Sequence, residues 1–164
     1  MGRAALDAYL YLMDEAFAGD DWHSLMTNVK AVGPDEWLWV PRGGARPIGE
    51  MVSHIAGCKN MYQDHAFGRA TLTWTDPAAD QKIHDSSPVG IDALLARLLE
   101  AQQRLHASVV ALGDDAELIR PRRTNWGELK ETRWIIKALI GHDLYHAGEI
   151  NHLRALHQEA DQWE

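Results

Sequence analysis

His142 and His146 stand four residues apart in the last helix-patterned stretch of this chain. An α-helix turns by about 100° per residue, so positions i and i+4 share a face and can grip one ion together. Ile135, Ala138, Leu139, Glu149, Leu153 and Leu156 fall on the same stripe. The two imidazoles therefore point where an amphipathic helix normally places leucine. Neighbouring imidazoles in an apolar core are costly unless something satisfies them, and a divalent metal does so.

A third ligand must come from another helix. His54 lies on an earlier helical segment, with Glu50, Met51, Cys58, Met61 and His65 in a narrow arc around it. Three neutral imidazoles and one open position make the ligand set of a catalytic zinc site, and the same set can hold nickel or iron. The expected metal residues are thus His54, His142 and His146. The expected cofactor is a divalent transition metal, zinc or nickel ahead of iron. Such an ion lowers the pKa of a water or thiol beside it.

Glu149, one turn after His146, is the candidate catalytic group, orienting a ligating imidazole or acting as a general base. Its competing assignment is a salt bridge to Arg154 or Arg104. Cys58, one turn after His54, can be a nucleophile or a fourth ligand but reads better as a small buried hydrophobe. Tyr145 and His152 sit at the edge of the stripe, where they can reach substrate or simply pack. Trp74 and Trp126, in loop segments, can roof a pocket.

Other chemistries fit poorly. A zinc protease needs Glu directly after the first His, but Asp143 follows His142 and points away on the wheel. A di-iron bundle needs two Glu-x-x-His pairs, and Glu149-x-x-His152 supplies one. No phosphate-binding glycine loop or nucleophile elbow is present.

These residues need helices to position them. A first segment over 3–32 carries Leu6, Tyr9, Leu10, Met13 and Phe17, with a break near Gly19 and a restart capped by Asp20 or Asp21. A second opens at Pro47 and ends at Gly68. A third opens at Ser87-Pro88 and runs to Leu112. A fourth runs from Thr132 to His157. Residues 69–87 read as irregular, with Thr71–Trp74 as the one stretch that can be extended. Residues 114–130 read as a polar loop, and Arg120–Arg123 within it as a solvated basic patch. The pattern predicts an all-α, four-helix bundle of up-down type with irregular loops after the second and third helices.

The 164 residues make one ordinary domain, spanning 1–164, with 46% of them apolar. A net charge of −8 with no basic tract argues against nucleic-acid binding. No apolar run reaches the roughly 20 residues of a membrane span, and the N-terminus has no signal-peptide core. Cys58 is the only cysteine, which fits a reducing cytoplasm.

The stretch Gly141-His142-Asp143-Leu144-Tyr145-His146-Ala147-Gly148-Glu149-Ile150 resembles the last-helix motif of the DinB-like (damage-inducible) superfamily. Arg46-Pro47-Ile48-Gly49-Glu50-Met51-Val52-Ser53-His54-Ile55-Ala56-Gly57 is similar to its second-helix motif, and Trp22–Leu25 and Trp126–Leu129 resemble weaker patches. The resemblance implies a four-helix bundle holding a divalent metal through His54, His142 and His146. It also implies a thiol-dependent S-transferase or isomerase using a low-molecular-weight thiol such as mycothiol or bacillithiol, and a homodimer. Two other readings remain: a non-catalytic, metal-stabilised binding or dimerisation module, and a metal-free core in which the histidines bond one another, Glu149 or water.

Overall fold

The structure is a computed structural model describing residues 2–44, 46–79 and 82–159. Helix α1 (Ala4–Asp14) buries Leu6 and Met13 and runs on through a π-helical turn, Glu15–Gly19. The chain breaks at Gly19 as expected. Asp20 accepts hydrogen bonds from the backbone N–H groups of Trp22 and His23, which turns the link. The cap of α2 (Leu25–Lys30) is Ser24, whose hydroxyl accepts from the Thr27 N–H. The restart thus uses a serine rather than Asp20 or Asp21, because the aspartate is spent on the turn before it.

Helix α3 (Ile48–Tyr62) carries His54 and continues into a second π-helical turn, Gln63–Phe67. Helix α4 (Pro88–Val110) starts at the predicted signal: the Ser87 hydroxyl accepts from the Gly90 N–H, and Pro88 takes the first turn, where its missing N–H costs little. Helix α5 (Thr132–Gln158) carries the two later histidines.

The segment read as a polar loop holds more structure than expected. Asp115–Ile119 forms a 3₁₀ turn, and β1 (Pro121–Arg123) pairs antiparallel with β2 (Leu129–Glu131). Strands of three residues leave no alternation to detect. Their turn depends on Gly127 at φ 91° and on the Thr124–Glu128 backbone pair. Nor is the Arg120–Arg123 patch simply solvated, since Arg122 is half-buried and donates to Glu117 and Thr132. Thr71–Thr73 is irregular and joins no strand.

Cross-helix pairs reveal the helix directions. Ser53, Lys59 and Asn60 of α3 meet Arg97, Gln102 and Arg104 of α4 in the same order, so these helices run parallel. Asp14 of α1 meets His106, while Arg3 reaches the far end of α4 at Leu112, so α1 runs against α4. Ile55 packs with Ile150 in one apolar cluster and Tyr62 with Ile135 in the other, with Lys59 meeting Asp143 between them, which sets α5 against α3. The long helices therefore lie up, down, down, up along one bundle axis. Two successive parallel helices require a connection that travels the length of the bundle, and the irregular segment after α3 does this.

Two apolar clusters fill the interior. One gathers Phe17, Leu25, Trp37, Val52, Ile55, Leu98 and Ile150. The other gathers Leu6, Met13, Leu105, Val109, Ile135 and Leu139. Between them lies a buried polar layer: Lys59 Nζ donates to Asp143 Oδ2 at 2.6 Å and to Gln102 Oε1 at 2.8 Å. The ammonium also stands 5.1 Å from the centre of the Phe17 ring. Among the described residues no helix is long and apolar enough to cross a membrane.

Candidate metal centre

Because α3 and α5 are antiparallel neighbours, His54 faces the His142–His146 pair. His142 Nε2 lies 3.3 Å from His54 Nε2 and 3.2 Å from His146 Nε2. Donor nitrogens of all three rings lie within 4.8 Å of one another. His146 is buried, whereas His54 and His142 are half-buried.

Proton placement follows from the neighbours. His146 Nδ1 is 2.7 Å from Glu149 Oε2, so Nδ1–H donates to the carboxylate and the Nε2 lone pair faces inward. Burial pushes the pKa of His142 down to about 3, with the neighbouring His146 and His54 adding to the effect. Burial also lowers His146, although Glu149 opposes it. Both rings are thus neutral at pH 7, the form that binds metal.

The residues fit a metal. Two nitrogens held by one tetrahedral ion at about 2.0–2.1 Å stand about 3.3 Å apart, close to the separations seen here. Three inward nitrogens cannot all satisfy one another, because His142 Nε2 carries either one proton or one lone pair and so pairs with His146 Nε2 or with His54 Nε2 but not with both. A cation would serve all three.

The surroundings sort the remaining candidates. Trp74 lies over His54 in a near-parallel stack, 6.4 Å between centres, so one loop tryptophan does roof the site. Trp126 does not: it packs edge-on against Tyr62 and Trp134. Tyr145 is exposed and meets His146 edge-on at 5.0 Å. His152 is exposed. The alternative partners of Glu149 are engaged elsewhere, Arg154 with Glu36 and Arg104 with Asn60.

Cys58 Sγ comes within 3.5 Å of His54 Nε2 but is not among the converging donors. Burial pushes its thiol up to about 12, so it stays protonated, in line with a buried hydrophobe. His65 bonds the Leu72 carbonyl and Glu50 pairs with Lys82, so neither reaches the centre. Leu156 falls on the apolar stripe of the sequence pattern but is 47% exposed, because the last turn of α5 runs past the apolar cluster.

Two features escaped the sequence reading. Asp143 does point away from the histidines, but into the core, where it meets Lys59 with both side chains almost fully buried. Burial pushes its carboxyl up, against the pull of the Lys59 ammonium. Arg46, in the motif before α3, has no ion-pair partner among the described residues, and its charge reaches His142, His146 and Cys58. An acid next to a ligand-patterned histidine was the only signal for the first feature, and its lysine lies 84 residues away.

A four-helix bundle that turns three imidazole nitrogens toward one point has the build of a metal-binding helical protein. The family model of the DinB superfamily matches residues 19–150, and the chain belongs to that superfamily. No curated protein matches it significantly.

Proposed function

We propose that this protein is a divalent-metal-dependent enzyme that transfers or isomerises a substrate with the help of a low-molecular-weight thiol. The convergence of His54, His142 and His146 Nε2 carries the reading. Those three side chains would hold the ion, with zinc or nickel ahead of iron. A bound ion supplies a Lewis acid that lowers the pKa of a thiol placed beside it.

The chain's own groups do the rest. Glu149 Oε2 fixes the His146 tautomer, and the half-buried Glu149 carboxylate is the group that takes the thiol proton in this reading. Trp74 covers His54 and limits water on that side. Arg46 supplies a positive charge that suits a carboxylate on the thiol, and Arg46→Met should raise KM for the thiol more than it changes kcat.

The test is metal analysis of the purified protein beside His54→Ala and His142→Ala, followed by assay with thiol plus electrophile. About one equivalent of metal in the wild type, lost in both variants together with turnover, is expected. A His146→Ala protein that binds metal as tightly as the wild type would sink the site. Metal without turnover for any thiol would point instead to a metal-stabilised binding module.

A further inference from the structure

His54 and Cys58 stand four residues apart on α3, as His142 and His146 do on α5. Two antiparallel helices that each present a pair one turn apart bring four side chains to one centre. Four is the number of protein ligands in a closed tetrahedral site.

The packing places Cys58 with the set. Its neighbour Lys59 meets Asp143, and Asp143 is the neighbour of His142. Stepping back one residue on each helix turns the side chain by about 100°. Because α3 and α5 run in opposite directions, those two turns lead to the same side of the seam between them. Cys58 and His142 therefore share a level and a side.

One distance already matches ligation. Cys58 Sγ lies 3.5 Å from His54 Nε2. A tetrahedral ion holding sulfur at about 2.3 Å and nitrogen at about 2.0–2.1 Å sets the two about 3.6 Å apart. Cysteine is the shortest of the four side chains, and Sγ does not yet stand with all three imidazole nitrogens. Its single side-chain torsion, χ1, is what would bring it in.

The role of such a ligand rests on the metal-and-thiol reading above. A position that an external thiol must enter is one that a thiol of the chain can hold first. Exchanging one sulfur for another keeps the donor set and the charge of the centre unchanged.

We propose that Cys58 is a displaceable fourth ligand, whose thiolate holds the open position until an external thiol takes its place. When Cys58 binds, its S–H bond breaks, a metal–sulfur bond forms and the proton leaves to water. In the exchange the metal–Cys58 bond breaks and a bond to the incoming sulfur forms. The incoming thiol gives up one proton, and Cys58 regains one.

The test uses cobalt(II) as the metal, in thiol-free buffer, with the wild type, Cys58→Ala and Cys58→Ser. A thiolate on cobalt(II) gives an intense near-ultraviolet charge-transfer band that imidazole ligands do not give. The wild type should take up about one equivalent of cobalt and show the band. Cys58 is the only cysteine, so the band by itself assigns the ligand. Both variants should bind cobalt through the three histidines, which also shows that they fold, and should lack the band. 4-Nitrothiophenol, whose visible absorption shifts when its sulfur binds metal, then reads the exchange. It should bind the variants at least about tenfold more tightly than the wild type, because no internal sulfur has to leave first. Cobalt held by the wild type without the band would overturn the role of Cys58 and leave the three-histidine site standing. A wild type that takes up no cobalt would overturn both. A band that survives in the variants, or equal affinity of wild type and variants for 4-nitrothiophenol, would overturn the displaceable ligand as well.

Discussion

His146 uses both of its ring nitrogens, one toward Glu149 and one toward the other imidazoles. Removing the outer partner therefore alters the inner one. Glu149→Gln should weaken metal binding by about 10- to 100-fold while leaving the fold intact, checked by competition with a chromogenic chelator. The same burial makes the metal-free protein acid-sensitive. Above about pH 6.5, histidine is neutral in both folded and unfolded chains. As pH falls, the unfolded chain takes protons that folded His142 refuses until about pH 3. The unfolded state then binds more protons, so stability falls between those two values, and it is fully present above them. Calorimetry after chelation should show Tm dropping from pH 7 to pH 5, and dropping less in His142→Phe.

Helix α3 owes one close contact to a missing side chain. A Cβ on Gly57 would collide with the carbonyl of Ala79, so the chain after α3 lies directly on the helix there. That chain also carries Trp74 over His54. Gly57→Ala should push it away, cost about 1–3 kcal/mol in urea unfolding and expose Trp74 to quenchers of indole fluorescence. At this scale much was legible. Ser87-Pro88 and Gly68 marked helix ends because caps and breakers act locally. The hairpin was not legible, since three-residue strands carry no period and form only because α5 and the 3₁₀ turn bring them together.

Across the molecule, Lys59, Gln102 and Asp143 tie three helices at one level between the two apolar clusters. Lys59→Met should destabilise the protein by about 3–5 kcal/mol, because Asp143 stays buried without its cation. Lys59→Met with Asp143→Leu should recover most of that loss or exceed the wild type, since apolar packing replaces the pair without its desolvation cost. Urea denaturation of the two proteins decides this. A double variant no more stable than the single one would show that the layer does more than set helix register.

The helices, the facing of His142 and His146 on one stripe and the inward turn of His54 were all determined by the sequence, because helical periodicity is a local property of spacing. Which histidine met which was decided by the parallel run of α3 and α4 and the reversal of α5, a matter of the chain's path through space. The tertiary structure alone decided that Asp143 found Lys59, that Glu149 chose His146 over Arg154, and that Trp74 rather than Trp126 covers the centre. Each of those outcomes depends on partners far apart in the chain, and side chains so separated meet only when packing brings their helices together.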